Sequence, residues 1–183
     1  MKKLLLFVSF AIFGFSNISA QDSSQTQDSS QTTNSGEGFN LGLHIGIPVG
    51  DYEDFANFTL GLDVSYLFNV SDGFDVGIAT GYINFFVEDI RGFKLPDLGI
   101  IPIAASARVA LGQKLFIGID LGYGIITNFS GGTGGFYYYP KIGLKLGAVD
   151  IFGYYQAVTR ESIQNRSTSN ITSVGVGALF NIN

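Results

Sequence analysis

The sequence predicts an all-β protein, an eight-stranded antiparallel up-and-down β-barrel that crosses a membrane. Three observations predict it: strict period-two alternation from Phe39 onward, connections that are alternately short and long, and strand faces rich in Leu, Ile, Val, Phe and Tyr without charge. Composition agrees. The 183 residues include 25 Gly, 17 Phe and 9 Tyr, and only 14% are charged, against roughly 25% in an ordinary soluble domain.

The first residues carry an address rather than a fold. Met1 to Lys3 bring positive charge, Leu4 to Phe15 form an apolar run, and Ile18-Ser19-Ala20 precedes Gln21. Residues 1–20 therefore read as a signal peptide cut after Ala20. The run of about twelve residues is short of the roughly twenty that a spanning helix needs. Without Lys2 and Lys3, the exported chain keeps 8 of the 10 bases against 15 acids, which excludes nucleic acid as a partner. It has no Cys for disulfides or for the lipid anchor of a lipoprotein. Residues 21–36 hold the hexapeptide Gln21-Asp22-Ser23-Ser24-Gln25-Thr26 twice in tandem, a polar composition expected of a disordered tether. The barrel is assigned to 37–183.

Along the barrel, the strands fall at 39–49, 57–69, 74–86, 99–111, 114–127, 134–147, 149–158 and 171–182. The second is the clearest: Phe58, Leu60, Leu62, Val64, Tyr66 and Phe68 alternate with Thr59, Gly61, Asp63, Ser65, Leu67 and Asn69. The fifth repeats the pattern, with Leu115, Ile117, Ile119, Leu121, Tyr123 and Ile125 opposing Phe116, Gly118, Asp120, Gly122 and Gly124. Strands two, four and six end in tight turns, at Val70 to Gly73, at Gly112-Gln113 and near Ala148. Strands one, three, five and seven lead into longer excursions, Gly50 to Ala56, Val87 to Leu98, Asn128 to Thr133 and Thr159 to Asn170. Short turns on the periplasmic side and long loops outside are the habit of transmembrane barrels.

A soluble lipocalin-like barrel also has eight alternating strands, but its outer face meets water and should carry Lys, Glu and Gln. Here one face is Gly, Ala, Ser and Thr with a few charges, suited to a crowded interior; the other is apolar and suits lipid. Tyr66, Phe68, Phe74 and Phe180 at the short-turn ends, and Phe55, Phe58, Phe85, Phe86, Phe129 and Tyr138 at the long-loop ends, form two interfacial girdles. Pro48, Pro102 and Pro140, unable to donate to a ladder, lie toward the outer halves of their strands.

These features resemble the small eight-stranded outer-membrane barrels of Gram-negative bacteria, similar to OmpX and the OmpA barrel and to the Gly-rich "outer membrane protein beta-barrel domain" proteins. The residues that carry the resemblance are the signal peptide, Leu41-Gly42-Leu43-His44-Ile45-Gly46, the strands with Gly at every second position, and Val174-Gly175-Val176-Gly177-Ala178-Leu179-Phe180. It implies location in the cell outer membrane, the lipid bilayer as the principal partner, and periplasmic chaperones and the barrel-assembly machinery during biogenesis. The family usually ends on an aromatic residue, whereas this chain ends Phe180-Asn181-Ile182-Asn183.

No catalytic, cofactor-binding or metal-binding residues are expected. His44 is the only histidine, and parity puts it in the lumen with no second histidine, no cysteine and no nucleophile motif. Asp63, Asp75 and Asp120 share that face with Arg108, Lys141 and Lys145, so ion pairing accounts for them. Asp51-Tyr52-Glu53-Asp54 lacks the spacing of a calcium loop, and Gly131 to Gly135 lacks the Lys and helix of a phosphate cradle. Pairing strands five and six about a loop near residue 130 sets Asp120 opposite Lys141, with Arg108 in diagonal reach; Arg108, Asp120 and Lys141 are therefore expected to form a structural lumen cluster. Leu67, Phe116, Tyr137, Tyr139 and Lys145 should fill the interior. The function expected is non-enzymatic: envelope structure or surface contact through the long loops. An accessory subunit of a larger membrane complex and, less favoured, a narrow pore are the alternatives.

Overall fold

The computed structural model describes residues 37–87, 96–127, 134–161 and 168–182. The signal peptide, the tether, Phe129 and the Gly131 to Thr133 stretch lie outside the described residues. Eight strands follow one another: β1 (Gly38–Val49), β2 (Ala56–Ser71), β3 (Phe74–Val87), β4 (Leu98–Leu111), β5 (Leu115–Thr127), β6 (Gly134–Lys145), β7 (Val149–Glu161) and β8 (Thr168–Ile182). Each pairs antiparallel with the next, and β8 pairs with β1 to close the barrel. A 3-10 turn, Gly50–Tyr52, follows β1.

Three tight turns join β2 to β3, β4 to β5 and β6 to β7, and each contains a glycine at positive φ: Gly73 at 74°, Gly112 at 72° and Gly147 at 90°. A side chain there would be strained. Neighbouring turns and strands also tie together at this rim, where Ala110 N–H donates to the Gly73 carbonyl, Lys145 N–H to that of Lys114 and Asn181 N–H to that of Ala148.

Register fixes the barrel's shape. Followed through paired residues, Phe39 leads to Tyr66, Ile78, Ala105, Leu121, Tyr138, Ala157 and Thr172, and then back to β1 at Val49, ten residues further along the strand. With eight strands, that stagger sets a tilt of roughly 43°. Two ladders skip residues where proline removes a donor. β3 and β4 pair at Thr80↔Ile103 and resume at Ile83↔Ile100, beside Pro102; β6 and β7 skip Tyr139 and Pro140. At the first gap Thr80 Oγ1 donates to the Pro102 carbonyl at 2.8 Å, although Thr80 otherwise faces outward.

The exterior is apolar. Leu43, Ile45, Ile47, Leu60, Leu62, Ile78, Ile103, Ile117, Ile142, Ile151 and Val176 are among its exposed side chains, and Ile78 and Ile103 are 69% and 62% exposed. Aromatic residues edge this band. Phe39, Tyr66, Phe68 and Phe180 are exposed near the short turns; Phe58 stacks on Phe86 at 4.3 Å nearer the long loops, where Tyr138 and Tyr155 also stack, at 5.9 Å. Phe85 departs from its expected girdle role. It is 1% exposed and points into the lumen, because parity along β3 sends only its neighbour Phe86 outward. From Phe58 to Phe68 the band is about 24 Å tall at that tilt and a rise of roughly 3.3 Å per residue, matching the apolar belt of a membrane barrel.

Candidate functional site

The lumen is where the chain gathers its chemistry, and size complementarity builds it. Around the wall, paired residues alternate between large and small: Ile83, Gly61, His44, Gly177, Phe152, Gly143 and Phe116 come from β3, β2, β1, β8, β7, β6 and β5 in turn. Each ring lies over a neighbouring glycine. A Cβ added to Gly61 would collide with the His44 imidazole, one on Gly177 with the Phe152 ring, and one on Gly143 with the Phe116 ring. Tyr154 reaches over Gly46 and Gly175 in the same way. A barrel of eight strands has an interior about as wide as its own side chains, so large residues fit only where their neighbours are small. Leu67, Phe116, Tyr137, Tyr139 and Lys145 are all buried.

At the centre of the lumen, His44 Nδ1 donates to Asp63 Oδ2 at 2.8 Å, and the Tyr139 hydroxyl lies 3.2 Å from the same nitrogen and 3.3 Å from the same oxygen. His44 Nε2 is buried without a hydrogen-bond partner, facing Gly61. Beside this group Lys141 Nζ donates to Asp120 Oδ2 at 2.6 Å, while Ser106 Oγ donates to Asp120 Oδ1, also at 2.6 Å. The ammonium sits 4.2 Å from the centre of the Tyr139 ring, a favourable place for a desolvated cation. A gap of about 10 Å³ lined by Asp63, Ser65, Asp120, Tyr137 and Lys141 has room for about one water.

Of the residues expected to cluster, Asp120 and Lys141 meet and Arg108 does not join them. Arg108 Nη1 donates to Asp150 Oδ2 at 2.9 Å, with its guanidinium 4.1 Å from the centre of the Phe116 ring. Register decides the route of Lys141. β5 and β6 pair Gly118 with Lys141 and Asp120 with Tyr139, two residues away from the symmetric hairpin expected, so Lys141 reaches Asp120 along a diagonal. Arg108 is opposite Gly118, while Ser106 is opposite Asp120; with Ser106 and Lys141 on the two Asp120 oxygens, Arg108 turns to β7. It also faces Asp75 across the β3–β4 ladder, as Lys145 faces Asp150 across β6–β7. Asp150 gave no warning in the sequence beyond its inward parity on β7.

The acidic turn after β1 has a structural job as well: Asp51 Oδ2 accepts the Asn170 backbone N–H at 3.0 Å, tying the turn to β8. Among the described residues, no three acidic or histidine side chains gather as metal ligands would. Tyr138 faces outward, while Tyr137 accepts a hydrogen bond from Gln156 Nε2 at 3.0 Å inside.

A closed barrel with ion pairs inside and a continuous apolar wall outside has one compatible solvent. The chain is a closed eight-stranded antiparallel barrel with the apolar outer wall of a membrane-spanning one. No family model and no curated protein matches the sequence. Among solved structures it is similar to the outer membrane protein Ail of Yersinia pestis in a phospholipid bilayer nanodisc, with 18% identity and a TM-score of 0.47 over 77% of this chain and 99% of that one. A crystal structure of Ail, the attachment invasion locus protein of Yersinia pestis, gives 15% identity and a TM-score of 0.46 over 79% and 99%. Neisserial surface protein A gives 12% and 0.44 over 79% and 95%.

Proposed function

We propose that this chain is a non-enzymatic, non-conducting barrel of the bacterial outer membrane that serves envelope structure or surface contact through its long-loop end, after delivery by periplasmic chaperones and the barrel-assembly machinery. The observation that carries the placement is the outer wall. Exposed apolar side chains surround the whole barrel, far beyond the few hundred Å² of contiguous apolar surface that a water-soluble monomer tolerates.

The non-catalytic reading follows from what the polar lumen groups already do. Asp63 is held by His44 and Tyr139, Asp120 by Ser106 and Lys141, and Asp150 by Arg108. A carboxylate committed to a neighbouring cation or hydroxyl holds the wall together and has no substrate-sized space in front of it. Rings seated on glycines leave the interior filled, which supports a barrel that does not conduct.

Placement is tested by Leu62→Arg, which puts a cation on the outer face near mid-band. The expected cost is roughly 2 to 4 kcal/mol of barrel stability in refolding from denaturant into lipid vesicles. A harmless substitution in a protein that stays soluble without detergent would overturn the membrane reading. Planar-bilayer recordings should show no steady open level from the purified full-length barrel; a reproducible one would replace the structural reading with a pore.

A further inference from the structure

We propose that the lumen is a one-sided vestibule, wettable from the short-turn end and closed toward the long loops by an apolar collar of Ile83, Phe85, Ile100, Ile126, Val158 and Ile171. This rests on the membrane reading above and adds to it a direction of access. The six collar residues are each 1–3% exposed. On one wall Ile83 pairs with Ile100 and Ile100 with Ile126; on the other Tyr137 pairs with Val158 and Val158 with Ile171.

The two walls converge over one glycine. A Cβ placed on Gly124 would sit 2.9 Å from Val158 Cγ2 and 3.3 Å from Ile100 Cγ2, so methyl groups from β7 and β4 converge over the same glycine of β5. A constriction of this kind excludes water by dewetting, and an ion passing through it loses hydration with nothing offered in exchange.

Below the collar, polar groups stand among the buried Leu67, Phe116 and Leu179 down to the short-turn rim. Exposed Asn69 donates to buried Asp75 at 2.9 Å; Asp75 faces Arg108, Arg108 is bonded to Asp150, and Asp150 faces Lys145. Half-buried Asn181 adds a polar group at the same rim. The ion-paired Asp120, Lys141, Arg108 and Asp150 lie on this side of the collar. Arg160 follows Val158 two residues further along β7, beyond the collar. At collar level the one hydroxyl opposite Phe85, that of buried Thr59, is 3.4 Å from the Tyr154 hydroxyl. Water and protons thus have a polar entry from one end and an apolar barrier at the other.

The test uses the full-length barrel in planar bilayers. Ile100→Ser combined with Val158→Ser should raise conductance at least about tenfold above the wild-type leak, because a polar lining lets the constriction wet. Leu67→Ser combined with Leu179→Ser, both below the collar, should leave it closed. A collar variant as closed as wild type, or a lower variant that opens equally, overturns the collar; a steady open level in the wild type instead overturns the non-conducting reading itself. Should the collar variant not fold, judged by loss of the heat-dependent gel shift of a native barrel, a second measurement decides. The chain has no cysteine, so Leu67→Cys gives a single thiol in the lower lumen. In vesicles it should react with a small charged thiosulfonate at least about tenfold faster from the short-turn side than from the long-loop side, since only one end is barred by a dewetted constriction. Equal rates from both sides, or no reaction from either, would refute the vestibule.

Discussion

The two ends of the lumen are built from different materials. Toward the long loops, Ile83, Phe85, Ile100, Ile126, Val158 and Ile171 pack as a dry core, and loss of a methyl there costs transfer energy plus a small cavity. Toward the short turns, Arg108 with Asp150 and Lys141 with Asp120 are nearly buried ion pairs, where the cost of removing one partner is set by the charge left behind. The same narrow cylinder therefore has one region that tolerates conservative trimming and another that tolerates only paired change.

The largest effect should come from separating the lower pair. Asp150→Ala strands the Arg108 guanidinium and should destabilise the barrel by roughly 3 to 5 kcal/mol in denaturant titrations, while Asp150→Leu with Arg108→Met should recover most of the loss. Equal losses from the single and the double change would mean that the pair's geometry matters less than its volume. Next comes a double-mutant cycle on Asp120→Asn and Lys141→Met, expected to show coupling of about 1 kcal/mol or more, against near-additivity within about 0.5 kcal/mol for Asp120→Asn with Arg108→Met. Reversed magnitudes would restore the three-residue cluster that the Arg108–Asp150 bond argues against. The smallest effect belongs to the collar, where Ile126→Val should cost only about 0.5 to 1.5 kcal/mol, with no dependence on salt.

How the sequence foretold these regions differs in an instructive way. Strand positions were legible because alternation is a local property: every expected strand is present, with its ends within a few residues. Facial placement was legible for the same reason, and His44, Asp63, Asp75, Asp120, Arg108, Lys141 and Lys145 all point inward. Register was not, because it depends on where a loop's centre falls. The pairs Gly118↔Lys141 and Asp120↔Tyr139 place that centre one residue earlier than expected, which moves every partner by two. A shift of two keeps each side chain on its own face, so the error stayed invisible to the alternation that revealed the strands.

The collar escaped for a different reason. Its signal was present as apolar doublets at the long-loop ends, Phe85-Phe86, Ile100-Ile101 and Ile125-Ile126, each with one member inside and one outside. Position at the long-loop end alone puts both members of the first doublet in the girdle, although neighbours along a strand face opposite sides. The outward Thr80 was also unforeseen. Its hydroxyl serves the Pro102 carbonyl where the ladder is interrupted, and in hydrocarbon an unserved carbonyl is costly; alternation alone records only a polar residue on the lipid side.

The Tyr154 ring reaches over Gly46 of β1 and Gly175 of β8, one on each side of the seam, whereas the His44 imidazole lies over Gly61 inside the first hairpin. Gly46 belongs to the first hairpin and can arrive early, whereas Gly175 is on the last strand, so the Tyr154 ring spans the joint at which a linear chain becomes a ring. Bringing such distant positions together costs roughly 4 kcal/mol of chain entropy beyond the fixed term, and topologies dominated by non-local pairing fold slowly. Seam closure is then the late event in assembly, and Tyr154→Ala should slow the appearance of the fully closed barrel more than it slows the formation of β1–β2 pairing. Stopped-flow refolding into vesicles, with one probe on the β1–β2 hairpin and another across β1 and β8, would separate the two; equal slowing at both probes would show that the ring guides the hairpin rather than the joint.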